Sequence, residues 1–367
     1  MNVAKNIPWW SADHSAQEAE ALVDLLRQDG LFGNVAVPAL ERELAARLEL
    51  PELLCVANPG LGLMLALEAC GVGPGDEVIL PALSWIAAAH GVLQLGAEVR
   101  LADCLPDHPC VDPEAVQALI GPKTKAILCA HLGGRAAQVA ELQRLADAHA
   151  LPLIEDATQA LFSSNEAGFL GTQASFGVFS LGMASPVSSG QGAALVCRDP
   201  ERMERLRMSR QQGTRKAAQR GESYVSPGFN AELGELAAAV GLVQLERLES
   251  TLEALRESHG CYREGLAKAP GVSVPALSMR QGELPLWTEI QCQDRRAVEA
   301  KLEALGIQTR RMHRPLSHAT HLESPAPYQY PFAEQFSEEL LFLPGGPSLP
   351  LEHVDRVVEA LGVWQIA

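Results

Sequence analysis

Lysine is scarce in this sequence: 367 residues contain six, at positions 5, 123, 125, 216, 268 and 301, and none from 126 to 215. With arginine they make 29 cations against 45 acidic residues, a formal charge of −16, and the cations form no basic stripe. That balance excludes the phosphate-neutralising surface of a nucleic-acid binder and does not suit an anionic membrane. Long apolar runs are missing as well. Stretches such as Val78 to Leu83 fall far short of the roughly 20 residues that cross a bilayer. The opening MNVAKNIPWWSADHS has no apolar signal region, so the expected setting is the cytoplasm. No two of the eight cysteines form a CxxC pair, and most lie in apolar segments, which predicts buried reduced thiols. Cys104 and Cys110, with His108 between them in a Pro-rich loop, are the one grouping that hints at a metal. No further ligand lies at close spacing, so no metal is expected.

What is present is apolar: 47% hydrophobic and 20% charged residues over this length predict a folded chain with a large core. EVILPAL (77 to 83), AEVRLAD (97 to 103), TKAILCAHL (124 to 132) and LPLIEDA (151 to 157) read as strands buried on both faces of a parallel sheet. SWIAAAHGVLQLG, DPEAVQALIG and AAQVAELQRLADAHA lie between them, with apolar residues three and four apart, as helices. The order predicts an α/β fold with helices on both faces of the sheet and right-handed crossovers. Two more strands, FGVFSL and GAALVCR, precede a polar loop from 211 to 223 and a long helical stretch from Asn230 to Ala267. A β-rich and helical C-terminal part follows, with a turn-dense segment from Pro325 to Pro350. The expected division is a large domain at 1–246, with an N-terminal arm that wraps back, and a small one at 247–367.

Asp156 stands at the end of a buried strand, where open α/β sheets place their ligand sites. Glu155 and Asp156 could cap a following helix, or Asp156 could pair with a protonated pyridine nitrogen so that the ring serves as an electron sink. Order and context bear on that choice. GVGPGDEVILPALSW (71 to 85), TKAILCAHLGGR (124 to 135), LADAHALPLIEDATQA (145 to 160), FGVFSLG (176 to 182), GFNAELGELAAAVGLVQLERL (228 to 248) and the closing LFLPGGPSLPLEHVDRVVEAL occur here in series. In that order and spacing the chain resembles the DegT/DnrJ/StrS family of sugar aminotransferases. The resemblance implies the aspartate-aminotransferase-like fold of pyridoxal-phosphate proteins, with a mainly parallel large-domain sheet and a smaller C-terminal α+β domain.

The resemblance also implies roles. Trp85 matches the aromatic residue that stacks on the cofactor ring, for which a large π face is suited. Asp156 matches the pyridine-nitrogen partner, Gln159 the residue near the phenolic oxygen, and Ser180 a phosphate-binding hydroxyl. Asn58 and Gly60 lie in the stretch that matches the phosphate cup. Asn230 matches a phosphate ligand that reaches in from a neighbouring subunit, which implies a dimer. Ordinary duties remain open for these residues: core packing for Trp85, and turns or caps for Gln159, Ser180 and Asn230. Apolar helix positions such as Leu236 to Leu245 also predict a face that a second subunit covers.

The departures from the family are as informative as the matches. The family's Schiff-base lysine falls at Ser185, within FSLGMASPVSSGQGAA. A serine hydroxyl forms no imine and is a poor proton shuttle at neutral pH. The family's Ser-Gly-Thr cup is Asn58-Pro59-Gly60 here, and Pro59 has no N–H to give an anion, although Asn-Pro is a good helix start. Gly190-Gln191-Gly192-Ala193 replaces Gly-Glu-Gly-Gly, and Glu232 stands where arginine is usual. Lys216 is the one amine in the polar loop. It reads as a solvated side chain rather than a substitute Schiff base supplied in trans.

Three functions stay open on this reading. The first is a pseudoenzyme or partner subunit in saccharide or natural-product biosynthesis, as a homodimer or as a heterodimer with an active paralogue. The second is an enzyme that holds pyridoxal or pyridoxamine phosphate without a covalent link and acts on a sugar nucleotide or related keto substrate. The third is a working aminotransferase with its lysine replaced, which Pro59, Gly60 and Glu232 speak against.

Overall fold

The computed structural model describes residues 6–28, 30–32, 35–214, 224–322 and 330–362. Seven strands make the central sheet: β1 (Leu54–Val56), β2 (Glu77–Pro81), β3 (Glu98–Ala102), β4 (Thr124–Ala130), β5 (Leu153–Ala157), β6 (Phe176–Ser180) and β7 (Ala193–Cys197). Their spatial order is β1-β7-β6-β5-β4-β2-β3. β3, β2, β4, β5 and β6 pair in parallel, whereas β7 runs antiparallel to both β6 and β1. The apolar runs expected to be strands are strands, because each alternates its residues between two cores. Val78 and Leu80 point into one, Ile79 into the other. α3 (Pro59–Ala69) and α4 (Ile86–Gln94) cover the first face; α5 (Pro113–Leu119) and α6 (Val139–Ala148) cover the second.

β1 is parallel to β6 through the intervening β7, so the C-terminal ends of β1, β2, β5 and β6 share one edge of the sheet. Asp156 lies in the middle of that edge, opposite Ala130 on one side and Val178 on the other.

A second sheet is antiparallel throughout, in the order β8 (Val272–Ser273), β9 (Glu289–Cys292), β11 (Leu340–Phe342), β10 (Arg310–Arg311). The N-terminal arm docks on this part: Ile7 forms a bridge with Ile307 and Trp10 with Gly345. The long helical stretch is two helices, α8 (Glu235–Glu246) and α9 (Leu248–Gly265), interrupted at Arg247 with φ −101° and ψ 11°. Its guanidinium turns to Asp13, Ser15, Gln17 and Glu18, which ties the arm to that break. The turn-dense segment holds more order than its prolines suggest. Pro331 occupies the first turn of α11 (Pro331–Glu339), where its missing N–H costs nothing, and β11 follows directly.

Among the described residues no helix is long and apolar enough to cross a membrane. None of their His, Cys, Asp and Glu groups could hold a metal. The eight cysteines are free thiols, Cys70 and Cys261 part-buried and the rest buried. Cys104 and Cys110 sit on a short hairpin, with the Cys104 thiol donating to the Pro109 carbonyl at 3.1 Å. Burial pushes both thiols up, that of Cys110 to about 12.

Candidate functional site

Asn58, Gly60, Trp85, Asp156, Gln159 and Ser180 line one cavity of about 410 Å³ along the shared strand-end edge. Local chemistry places each of them. Asn58 caps α3, its Oδ1 accepting from Leu61 N–H at 2.9 Å, with Pro59 as the first helical residue. Leu61 and Gly62 N–H are thereby spent, the latter on the Asn58 carbonyl, and Pro59 has none, so Gly60 N–H is the donor left open in this turn. Ser180 ends β6 and its Oγ accepts from Gly182 N–H at 3.1 Å, which leaves its own hydrogen free to donate. Trp85 opens α4 with 47% of its surface exposed, edge-on to His313 at 6.1 Å between centroids. The alternative of plain core packing does not hold for an indole this open.

Asp156 Oδ1 accepts from both the N–H (3.1 Å) and the hydroxyl (2.6 Å) of Thr158, and Oδ2 has no partner among the described residues. Burial holds this carboxyl above its ordinary pKa, against the hydrogen bonds from Thr158. Neither Asp156 nor Glu155 caps a helix; turns follow β5. Glu155 points to the opposite face, where it accepts from Gly171, Gln173 and Ala174 N–H at 2.8, 2.7 and 2.6 Å and contacts His131 Nε2 at 2.9 Å. Burial alone would raise its pKa, but the His131 contact and those amides hold it below the ordinary value. Gln159 is buried with Oε1 accepting from Gly133 N–H at 3.0 Å, so its amide NH₂ remains available.

Ser185 is near the cavity rather than on its wall. It is buried, and its hydroxyl donates to the Ser180 carbonyl at 2.7 Å, while Met183 and Ala184 of the same loop do line the cavity. No described residue on the wall is a lysine. Lys125 enters β4 beside Gly71, at the opposite end of the sheet, and Lys216 lies outside the described residues. Asn230 is exposed and does not line the cavity of its own chain; it forms a backbone bridge with Gln211. Glu232 accepts from the Gln211 side chain at 2.6 Å.

Sequence reasoning missed the side of the cavity contributed by the C-terminal part. Trp287, Arg310 and His313 complete the wall. Trp287 Nε1 donates to the Ala184 carbonyl at 3.1 Å, which joins the second sheet to the loop before Ser185. Burial, then the nearby Arg310 charge, lower the His313 pKa to about 4, so the imidazole is neutral at neutral pH. The adjacent arginines at 310 and 311 were the available signal, but periodicity does not tell an exposed pair from a cavity wall.

Residues 12–362 match the model of the DegT/DnrJ/EryC1/StrS aminotransferase family. The chain is 35% identical over 331 residues to a dTDP-3-amino-3,4,6-trideoxy-alpha-D-glucose transaminase from Streptomyces venezuelae, covering 88% of this chain and 86% of that one. It is 33% identical to a GDP-perosamine synthase from Caulobacter vibrioides, with 83% of each chain covered. Among solved structures, S. venezuelae DesV in complex with a ketimine intermediate superposes with a TM-score of 0.90 at 31% identity, over 98% of both chains.

Proposed function

The chain belongs to the DegT/DnrJ/EryC1/StrS aminotransferase family, and from that membership we propose that it is a sugar-aminotransferase homologue without ordinary transaminase activity, acting as a partner subunit in saccharide or natural-product biosynthesis. The observation that carries this reading is Ser185. The sequence resemblance puts it in the place of the family's lysine; its hydroxyl hydrogen is already given to the Ser180 carbonyl, and no lysine among the described residues lines the cavity. A hydroxyl held this way supplies neither a covalent anchor nor a base at neutral pH.

The cavity's donor set still fits pyridoxal or pyridoxamine phosphate. Asp156 is a buried carboxyl with Oδ2 unpartnered among the described residues, and a protonated ring nitrogen would offset the cost of its charge. Trp85 offers a π face, the Gln159 NH₂ a donor, and Ser180 Oγ–H with Gly60 N–H two phosphate donors. When bound, the ring supplies an electron sink. Any such cofactor is held here without a covalent link. The survival of Asp156, Gln159, Trp85 and Ser180 in one cavity favours a second reading, an enzyme that uses the non-covalent cofactor on a sugar nucleotide or related keto substrate.

The protein is proposed to be a dimer, either with itself or with an active paralogue, in which exposed Asn230 faces the neighbour's cavity. The apolar face expected on α8 does not support this. Ala238, Ala239, Val243 and Leu245 are buried within the chain, against α1 (Ala16–Arg27) and α2 (Ala36–Arg47), and Leu236 alone of the large residues stays exposed. Exposed large apolar residues elsewhere include Trp85, Met183, Tyr224, Val225 and Phe229. Incubating the purified protein with pyridoxal phosphate and L-glutamate tests the main reading. No 2-oxoglutarate should form above the protein-free rate; production at an aminotransferase's rate would overturn it.

A further inference from the structure

We propose that Arg135 is a positioning residue for Gln159: its ion pair with Glu289 fixes the turn that orients the Gln159 carboxamide, so that the docking of the second sheet sets a donor in the cavity. The proposal rests on the reading of the cavity as a pyridoxal-phosphate site. It concerns two residues that lie behind the cavity wall rather than on it.

Arg135 follows the short turn Leu132–Gly134 after β4. Its Nη1 lies 2.6 Å from Oε1 of Glu289 in β9, with 4% and 2% of the two side chains exposed. No other described residue bonds to the Glu289 carboxylate, so the arginine is its one partner there. The turn is held at both ends. At its start His131 Nδ1 accepts from Ala137 N–H at 3.1 Å, so its Nε2–H donates to Glu155 at 2.9 Å, and His131 N–H donates to the Asp156 carbonyl at 2.9 Å. At its end Ala136 N–H donates to Glu283 Oε1 at 2.9 Å. The C-terminal part presses so closely here that a Cβ at Gly134 would stand 1.9 Å from the Leu284 carbonyl oxygen. Gly133 lies between, at φ 61°, where an added Cβ would meet Arg135 Nη1 at 2.9 Å and Glu289 Oε2 at 3.6 Å. The ion pair thus packs directly against Gly133.

Gly133 N–H is the donor from which Gln159 Oε1 accepts at 3.0 Å. A carboxamide has two nearly isosteric orientations, and a neighbouring N–H selects the one that turns the oxygen toward it. The NH₂ of Gln159, which lines the cavity, is thereby left for a ligand. Turned over, the side chain would set its oxygen against the phenolic oxygen of the ring, two acceptors facing each other. Buried ion pairs are often no more stabilising than apolar pairs of similar volume; what this one supplies is placement.

Absorbance titration of the full chain with pyridoxal phosphate tests this. Arg135→Met combined with Glu289→Leu removes the ion pair without leaving one charge buried alone. The paired variant should bind at least about threefold more weakly, the low end for one hydrogen bond. It should also raise the pH at which the phenol of the bound ring ionises, because a donor to the phenolate is lost. Gln159→Ala should do the same, and adding the paired change to it should cost nothing further. Arg135→Lys alone should keep most of the affinity. In the cofactor-free chain, hydrogen exchange over residues 131–135 should quicken in the paired variant. Additive losses, unchanged exchange, or a paired variant that binds and titrates like the parent while Gln159→Ala is weakened would each overturn the positioning role and leave the reading of the cavity standing. A parent chain that binds no pyridoxal phosphate, or a Gln159→Ala variant of unchanged affinity, would overturn the role of Gln159 in the cavity and the proposal with it.

Discussion

Asp156 bears a conflict between stability and binding. Burial raises its pKa in the folded chain, so the native state keeps a proton over a range where the unfolded chain has lost it. The stability from this group is complete below the unfolded value, about 3.9, and is lost as pH rises through the folded value. Asp156→Asn removes that loss. The variant should melt above the parent at neutral pH and level with it in acid, while its affinity for pyridoxal phosphate falls; a lower melting temperature at neutral pH would contradict this. Ser185 and the cup form a second residue-scale test. Ser185→Lys restores an amine but not the N–H that Pro59 withholds, and each missing charge-assisted hydrogen bond costs about 1.5 to 3 kcal/mol. Adding Pro59→Gly and Gly60→Thr should therefore tighten cofactor binding by roughly tenfold to hundredfold per donor over the single variant. A Cβ at residue 60 meets Asn58 Oδ1 at 3.3 Å and Ala87 Cβ at 3.5 Å, so the threonine needs only a small adjustment. Equal affinities in the single and triple variants would show the cup to be irrelevant. The residues of the strand-end edge were legible because each ends or follows a run with a clear period. Arg310 and His313 were not, since their place depends on how a second sheet docks.

The same contrast holds for whole elements. The strands of the central sheet announce themselves as apolar runs, and Asn58-Pro59 marks the start of α3 within its own sequence. Other helix starts are satisfied from far away. α2 has no side-chain cap of its own; the Glu235 carboxylate of α8 accepts from Val35, Ala36 and Val37 N–H at 3.1, 2.6 and 3.3 Å. α11 borrows Asp103, which accepts from Phe332 and Ala333 N–H at 3.2 and 2.9 Å. No local pattern encodes a cap 200 residues distant, and so the helix in the turn-dense segment was hidden. Glu235→Ala should destabilise the fold by about 1.5 to 3 kcal/mol, the scale of losing hydrogen bonds to a charged group. Urea unfolding reads this as a lower midpoint at unchanged slope; an unmoved midpoint would mean that water replaces the carboxylate.

At the scale of the molecule, the cavity lies where two parts of the chain meet, the strand-end edge of the large sheet and the wall from the antiparallel sheet, and the arm packs Trp9 against Arg310 and Trp287 of that wall. That convergence places the buried carboxyl of Asp156 on the cavity wall, while the loop from Ser180 to Ser185 closes on itself through the Ser185 hydroxyl. The central claim is that this cavity holds its cofactor without a covalent bond. Saturating the protein with pyridoxal phosphate, reducing with borohydride and mapping peptides by mass spectrometry tests it most directly. The account predicts that the cofactor stays removable by dialysis and that no cavity peptide carries a phosphopyridoxyl group. A stoichiometric adduct on one lysine, Lys216 included, would contradict it.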